Sequence, residues 1–430
     1  MSSPLLRRRL VLTMAPALAT AMVLGACASG SNEQGSDPAQ PVKVLLFAGP
    51  YATATKAKLP EFTAKTGIKV DLTILGGEVI NNKISTELLG AQSSFDVMSI
   101  RGDSIPLYAT KGTLLDIGPL LKDPKTTPAA YALDDIAPRA LGYYSWDGKQ
   151  VALPWTVDSY VLYYRKDLFA KAGLNTPPRS AAEYATYAAK LNNPAARTYG
   201  TGLTMQRSHN LTSEYYQWLS IFGGSVVDAN GNVALDSPAA RQSLDFYLRL
   251  KDSAPPDVTN WAFERLTTGL SQGEVAMAVQ WASVAAVMED ASQSKVAGKI
   301  AYATLPAEPN PAAVIGGWGL TIPTKSTNQA NAFAFLQWMT SPEMTKEIAG
   351  LGGGPVRVSL AQDATLNEKF PWFKVQSESL ERAVPRPRTP SWPEIDDVMS
   401  TELSQVIIGA TTPDKAVSTM AQKATAAISK

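Results

Sequence analysis

Cysteine and histidine are almost absent from this chain of 430 residues. The only cysteine is Cys27 and the only histidine is His209. One thiol cannot form an internal disulfide, and one thiol with one imidazole cannot build the His/Cys clusters that hold zinc. The sequence also has no Gly-x-Ser-x-Gly motif and no Asp-rich calcium loop. We therefore expect no metal, no other cofactor and no Ser-His-Asp catalysis, and we expect hydrophobic cores to stabilise the fold.

The chain lacks an excess of charge of either sign, with 39 Lys and Arg residues against 38 Asp and Glu residues. A balance this close to neutral gives no electrostatic footprint for nucleic acid or for anionic lipid. Beyond the N-terminal region there is no long apolar run, so the sequence predicts no membrane-spanning segment. The length, together with 45% hydrophobic residues, predicts two domains or lobes.

The first 26 residues have the composition of a secretory signal. Arg7–Arg9 precede an uncharged, mostly apolar run of 15 residues from Leu10 to Leu24, which is short for a membrane span and contains Pro16. The Leu-Gly-Ala-Cys segment that ends at Cys27 resembles the bacterial lipobox, in which the cysteine is lipidated and begins the mature chain. The resemblance predicts a signal peptide over 1–26 and an extracytoplasmic protein that is lipid-anchored to the cell membrane. The alternative is an ordinary signal peptide with an incidental thiol.

Residues 27–41 are rich in Gly, Ser, Asn, Gln and Pro, which predicts a flexible tether spanning about 20 Å as a coil. The short apolar run Val42–Phe47 is typical of a buried parallel strand, and Ile68–Ile74 alternates like a half-buried one. Ser237-Pro238 and Ser341-Pro342 each place a capping hydroxyl before a proline at the first helical position. Strands that alternate with helices indicate an α/β fold with mostly parallel sheets.

Aromatic residues are plentiful, with nine tryptophans and fifteen tyrosines, and several lie in probable loops. The C–H faces of a sugar ring are apolar and stack on aromatic rings, whereas the hydroxyls at the ring edge need charged or amide partners. Aromatic walls combined with Asp, Glu or Arg side chains are therefore typical of a sugar or polyol site. The alternative for any one tryptophan is packing in a core.

Six segments, in the same order along the chain, resemble the extracellular sugar-binding proteins of ABC importers, the large family that includes maltose-binding protein. The hallmark is LPWTVDSYVLYYRKDLFAKAGL at 153–174. The other five segments are FTAKTGIKV at 62–70, FDVMSIRGDSIPLYATKGTLLDI at 95–117, SEYYQWLSIFGGSVVDANGNVALDSPAARQSL at 213–244, LTTGLSQGEVAMAVQWAS at 266–283 and GGWGLTIPTKSTNQANAFAFLQWMTSPE at 316–343.

The resemblance implies a two-lobed α/β fold of the type II periplasmic-binding-protein kind, with a ligand cleft between lobes that crossing strands join. The first lobe would comprise 42–155 plus about 304–342, and the second lobe 156–303 plus about 343–430. It implies a monomer that captures a sugar or polyol, performs no catalysis and delivers the ligand to the transmembrane subunits of an ABC permease.

Carried over position by position, the resemblance also implies a set of cleft residues. Asp103 and Asp158 would accept hydrogen bonds from sugar hydroxyls, and aromatic side chains would stack on the ring. The implied ligand-binding residues are Tyr51, Asp103, Asp158, Tyr215, Trp281, Trp318, Arg357 and Trp392.

Several alternatives remain open at this stage. A secreted carbohydrate-active enzyme with paired carboxylates would share the same composition, and a surface adhesin would bind no small molecule. Arg386 and Arg388 could bind an acidic or phosphorylated sugar, or they could bridge the two lobes. His209 is expected at the surface or between packed lobes. The Pro-rich stretch Pro385–Pro393 predicts a rigid, extended crossing loop, with a peptide ligand as the alternative.

Overall fold

The computed structural model describes residues 40–228, 230–307 and 313–429. Cys27 and the predicted signal peptide lie outside these residues. The described residues belong to one compact unit. No helix within the described ranges has both the length and the apolarity needed to cross a membrane.

The described residues form twelve strands and eighteen α-helices. The strands are β1 (Val42–Phe47), β2 (Val70–Leu75), β3 (Val97–Arg101), β4 (Ser145–Trp146), β5 (Lys149–Gln150), β6 (Leu153–Pro154), β7 (Asp158–Arg165), β8 (Met277–Trp281), β9 (Ile300–Ala303), β10 (Ala313–Gly316), β11 (Trp318–Thr321) and β12 (Ala383–Val384). The helices are α1 (Pro50–Thr66), α2 (Gly77–Leu89), α3 (Ile105–Thr110), α4 (Gly118–Lys122), α5 (Pro138–Tyr143), α6 (Lys166–Lys171), α7 (Ala181–Leu191), α8 (His209–Ile221), α9 (Pro238–Leu250), α10 (Phe263–Ser271), α11 (Ala285–Glu289), α12 (Gln329–Met339), α13 (Pro342–Gly350), α14 (Val358–Ala361), α15 (Ala364–Lys369), α16 (Trp372–Glu381), α17 (Trp392–Ile407) and α18 (Pro413–Ile428).

Ten of the strands form two five-stranded sheets, one in each lobe, and β4 pairs with β5 in a separate two-stranded sheet. The first sheet has the order β2-β1-β3-β11-β6, and the second has the order β12-β10-β7-β8 with β9 also paired to β7. The first sheet is covered on both faces, because Val44 and Leu46 of β1 contact one core cluster and Leu45 contacts the other. A separate, larger core lies in the second lobe. The two-lobed α/β prediction is confirmed.

The direction of the strands differs from the prediction. In the first sheet β1 runs parallel to β2 and β3, as expected, but β11 runs antiparallel to β3 and β6. In the second sheet β7 is antiparallel to β8, β9 and β10, and only β10 and β12 pair in parallel. The expectation of mostly parallel sheets is therefore wrong for the second lobe, because β7 and β10 are the strands by which the chain enters and leaves that lobe.

The chain crosses between the lobes at three places. It leaves the first sheet through β6 and enters the second as β7, and it returns from β10 to β11 through Gly317. Gly317 has φ +120°, and an added Cβ would lie 2.4 Å from the carbonyl oxygen of Thr156, so only glycine fits this crossing. The third crossing comes after Arg357, because Met344 and Ile348 of α13 pack in the first-lobe core and Arg357 pairs with Ile136 of the same lobe.

The helix-start signals in the sequence correspond to the observed caps. Ser237 accepts a hydrogen bond from the backbone N–H of Ala240, and Ser341 accepts one from Met344. The following prolines occupy the first helical position, where no N–H is needed. These caps fix the starts of α9 and α13.

Phe333 tests the packing of the first lobe. It is 4% exposed on α12 and belongs to the cluster that holds α1 and α12 against the first sheet. We expect Phe333→Ala to lower the free energy of unfolding by about 3–5 kcal/mol, because it leaves a cavity in a close-packed core. Urea denaturation would measure the loss. Ile408→Ala, at a position that is 66% exposed, is the control and should change stability by about 0.5 kcal/mol or less; equal losses in the two variants would contradict the assignment.

Candidate functional site

A cavity of about 420 Å³ lies between the two sheets, where the chain crosses from one lobe to the other. Aromatic side chains from both lobes line it. The first lobe contributes Phe47, Tyr51, Trp155 and Trp318, and the second contributes Phe263 and Trp281. A second cavity of about 590 Å³ shares Asn81, Arg101 and His209 with the first and is lined by more polar side chains. The volume and the aromatic walls are those of a small-molecule site.

Trp281 is the aromatic wall of the second lobe. It is the last residue of β8, and its cross-strand partner on β7 is Tyr160. The two rings stack with centroids 4.1 Å apart, so the tryptophan is fixed from behind and keeps one face toward the cavity. An added Cβ on Gly316 would lie 2.5 Å from this ring, which shows how closely the returning strand passes it.

Trp318 and Tyr51 form the opposite wall. Trp318 begins β11 and stacks on Phe47 at the end of β1, with ring centroids 4.4 Å apart and an interplanar angle of 14°. Tyr51 lies in the first turn of α1 and meets Trp155 edge-on. Trp281 and Trp318 therefore present flat apolar surfaces to one cavity from opposite lobes, which is the arrangement that stacking on a sugar ring or an extended polyol requires.

Asp158 is the polar group at the hinge. It is the first residue of β7, is 7% exposed and lines the cavity. Its Oδ1 accepts hydrogen bonds from the backbone N–H groups of Ser159 and Ser283, at 2.9 and 3.2 Å. Burial raises the pKa of the Asp158 carboxyl to about 7, although the hydrogen bonds from Ser283 and Ser159 favour the ionised form. The carboxyl can therefore accept, and when protonated donate, a hydrogen bond from the cavity wall.

Asp103 does not line the cavity, contrary to the expectation that it contacts ligand. It is fully buried after β3, and its Oδ1 accepts a hydrogen bond from Arg101 Nε at 3.1 Å. Its Oδ2 lies 3.0 Å from Arg386 Nη1 and 3.3 Å from Trp392 Nε1, both from the second lobe. Burial alone would raise its pKa, but Arg101, Arg386 and His209 outweigh that effect and hold the pKa well below the usual value. The carboxylate is already saturated with donors, and it joins the two lobes.

Arg386 and Arg388, near the cleft, also connect the two lobes. Arg386 donates to Ser213 Oγ as well as to Asp103, and so contacts both lobes. Arg388 donates to the carbonyl oxygens of Tyr143 and Ser145 in the first lobe. The sequence left two roles open for these arginines, binding an acidic sugar or bridging the lobes. In the structure they bridge the lobes. Residues 385–388 form a loop without regular secondary structure, whereas Trp392 and Pro393, expected in the same extended stretch, begin α17.

Three other expected cleft residues lie elsewhere. Tyr215 is fully buried in the second-lobe core, and its hydroxyl donates to the carbonyl oxygen of Ala240. Arg357 is 1% exposed and donates to the carbonyl oxygens of Tyr131, Ala132 and Thr340, so it pins a first-lobe loop. Trp392 is fully buried in the second-lobe core, packs against Tyr216 and donates through Nε1 to Asp103. None of the three lines either cavity.

Among the polar residues of the site that the sequence did not predict are Arg101 and His209. Arg101 ends β3 and lines both cavities, and His209 begins α8 at the boundary between them. The Nδ1 of His209 lies 2.7 Å from Asp396 Oδ2, and its Nε2 lies 3.9 Å from Asp103 Oδ2. The expectation that His209 lies between packed lobes therefore agrees with its position. Arg101 could have been predicted from its position at the carboxyl end of a buried strand, immediately before Gly102-Asp103.

Comparison with known proteins identifies the family. The model of the bacterial extracellular solute-binding protein family matches residues 48–346. A mannitol-binding protein of Pseudomonas aeruginosa is 30% identical over 73% of this chain and 72% of its own length. An ABC transporter solute-binding protein of Agrobacterium radiobacter, solved with ribitol, has a TM-score of 0.84 and 27% identity, covering 90% of this chain and 98% of that one.

A maltose-bound protein of Thermotoga maritima has a TM-score of 0.81 and 25% identity, covering 89% of this chain and 99% of that one. The chain belongs to the bacterial extracellular solute-binding protein family, and it is an extracytoplasmic substrate-binding component of an ABC importer. The family is one of transporter components and not of enzymes.

The raised pKa of Asp158 predicts a pH-dependent effect of its substitution. Between the ordinary value of 3.8 and about pH 7, the folded state keeps a proton that the unfolded chain has lost, so this group lowers stability as pH rises through that window. We expect Asp158→Asn, which stays neutral, to raise the melting temperature at pH 8 by about 2 °C or more and to have less effect at pH 4. Thermal unfolding of both proteins at the two pH values measures this.

The control for that measurement is Asp147→Asn, which removes an exposed carboxylate from a turn outside the cleft. Its effect on melting temperature should not change sign or size between pH 4 and pH 8. An Asp158→Asn effect that is equally independent of pH would mean that the carboxyl ionises normally in the folded protein.

Proposed function

We propose that this solute-binding protein captures a sugar or polyol in the aromatic cavity between its lobes and delivers it to the permease of an ABC importer. The single observation that carries the proposal is the pair of tryptophans, Trp281 and Trp318, that face one cavity of about 420 Å³ from opposite lobes. Stacking surfaces on both lobes allow a polyhydroxylated ligand to be enclosed when the lobes meet. The relatives named for mannitol and solved with ribitol or maltose support the same class of ligand.

Each wall of the cavity has a role in this proposal. Trp281 and Trp318 stack on the apolar faces of the ligand, and Tyr51 closes the end near the start of α1. Asp158 binds ligand hydroxyls from the hinge, where its own backbone partners hold it in place. Asp103 acts indirectly, because it positions Arg386 and the second lobe and does not reach the ligand itself.

A panel of neutral carbohydrates tests the proposal. Mannitol, ribitol, erythritol, glucose, galactose and maltose would be added separately, and the shift in melting temperature measured. A ligand at a hundredfold excess over its Kd adds about 2.7 kcal/mol to the free energy of unfolding. Trp281→Ala should weaken binding of the best ligand by about 2 kcal/mol or more, because it removes a buried stacking face.

Trp338→Ala is the matched control, since Trp338 packs against Phe62 on the first-lobe surface and lies outside the cleft. It should lower stability and leave affinity unchanged. If Trp281→Ala lowers stability but leaves affinity unchanged, the cavity is not the binding site. The recovered ligand should be chemically intact, and shorter products from maltose would favour a carbohydrate-active enzyme with paired carboxylates.

We also propose that the protein is a monomer tethered to the outer face of the cell membrane. Residues 1–26 act as a lipoprotein signal peptide, Cys27 is lipidated, and residues 27–41 space the binding unit from the bilayer. The Leu-Gly-Ala-Cys segment and the extracytoplasmic role of the family support this arrangement. Stable anchoring requires two or more acyl chains, which lipoprotein processing would supply.

Substitution of Cys27 separates anchoring from binding. We expect Cys27→Ala to abolish incorporation of labelled fatty acid and to release the protein from washed membranes, because no other thiol is available in the chain. Ligand affinity should stay the same, since Cys27 precedes β1, the first strand of the binding unit. Cys27→Ser is a second, near-isosteric variant, and it should give the same result. Retention of either variant on membranes after a salt wash would contradict lipid anchoring at this residue.

A further inference from the structure

The aromatic cavity adjoins the second, more polar cavity. Asn81, Arg101 and His209 line both cavities, so the two spaces meet at these side chains. The second cavity has a volume of about 590 Å³, against about 420 Å³ for the aromatic one. A single sugar ring between Trp281 and Trp318 would therefore lie in only one of two adjoining spaces, and in the smaller of them.

The second cavity is also enclosed between the two lobes. In the first lobe, α2 contributes Asn82 and Ser85, and the turn after β3 contributes Ser104. In the second lobe, the segment before α8 contributes Ser208, and the start of α17 contributes Asp396. Both cavities therefore form where the same two lobes meet, so one ligand can be held in both at once.

The walls of the second cavity are suited to hydrogen bonding and not to stacking. No tryptophan of the described residues lines it, and its lining side chains include amides, hydroxyls and carboxylates. A sugar hydroxyl both donates and accepts hydrogen bonds, so it matches a wall that presents both kinds of partner. An apolar ligand would leave these polar groups without partners, which is unfavourable.

Two side chains of the second cavity have hydrogen-bonding capacity that the described residues do not use. The Oδ2 of Asp396 lies 2.7 Å from His209 Nδ1, but its Oδ1 is buried without a partner among the described residues. Arg101 donates to Asp103 through Nε, and its two Nη groups donate to no described side chain or carbonyl. Because buried polar groups are normally satisfied, an unused acceptor and unused donors in one cavity are matched by a group that offers both, as a hydroxyl does.

The second cavity opens to solvent at one end. Asn82, Arg207 and Asp397 line it there, and all three are exposed. Arg207 Nη2 lies 2.7 Å from Asp397 Oδ1, so these charges are paired with each other and screened by solvent. The end of a longer neutral ligand can therefore leave the cleft here without burying an unpaired charge.

We infer that the ligand is a glycoside of at least two units, one unit stacking between Trp281 and Trp318 and the next unit binding in the second cavity; this rests on the proposed function of the same cleft. The glycosidic bond then lies where the two cavities adjoin. The unit in the second cavity is held by hydrogen bonds, and further units extend toward its open end.

Matched series of neutral ligands of increasing length test the inference. Calorimetric titrations of the full chain at pH 7.5 would compare glucose with maltose, cellobiose, trehalose and maltotriose, galactose with lactose and melibiose, and glucitol with maltitol. We expect at least one two-unit ligand to bind about tenfold or more tightly than either of its component units, since two or three further hydrogen bonds discriminate on that scale. It should bind with one equivalent per chain.

The outcomes separate this inference from the function beneath it. If single units bind as tightly as every two-unit ligand, the second cavity holds only water, the inference is wrong and the proposed function stands. Binding of two equivalents of a single unit per chain would show two independent sites and would also overturn the inference. If no ligand of any length binds, both the inference and the proposed function fail.

Asn82→Leu locates the second unit, because Asn82 lines the second cavity and not the aromatic one. Removal of this amide should reduce the ratio of two-unit affinity to single-unit affinity by about threefold or more. Gln405→Leu, at an exposed position of α17 outside both cavities, is the matched control and should leave the ratio unchanged. An unchanged ratio in Asn82→Leu would place the second unit elsewhere. The wild-type preference for two units is measured independently of this variant.

Discussion

The buried carboxylate of Asp103 is the contact on which the enclosed arrangement of the two lobes depends. It lies at the end of the central strand of the first sheet and receives donors from two separate segments of the second lobe, Arg386 and Trp392. Taking these groups out of water is unfavourable, and the free energy is recovered only while all of them remain together. The contact is therefore specific for one relative position of the lobes, and that position defines the cavity between them.

The aromatic walls depend on the same geometry through the crossing strands. Gly316 passes close to the ring of Trp281, and Gly317 turns the chain against Thr156 before Trp318 begins β11. Each tryptophan is supported from behind by a second ring, Tyr160 in one lobe and Phe47 in the other. Rigid support from packed neighbours keeps a stacking surface in place before ligand arrives, so less conformational entropy is lost on binding. The hinge thus forms part of the binding surface.

Much of the fold could be predicted from local sequence. The binding site could be predicted only in part. β1 was predicted with its observed bounds because a short apolar run between polar segments needs no distant information. The direction of the second sheet could not be predicted, since it depends on how β7 and β10 enter the lobe. Tyr215 illustrates the limit for the site: α8 is buried on almost every side, so helical spacing could not separate its core face from its cleft face. Arg101 was missed because its role arises from sharing Asp103 with Arg386, a residue far along the chain.

The shared carboxylate also constrains how this sequence can diverge. Asp103 and its second-lobe partners are separated by 283 and 289 positions, yet they meet at a single oxygen atom. Loss of the carboxylate would leave a buried guanidinium without its counter-ion, and loss of Arg386 would leave a buried anion. Substitution of either Asp103 or Arg386 alone is therefore costly, and a related sequence that lacks this contact must have replaced both residues. The residues of the cavity walls can vary one at a time.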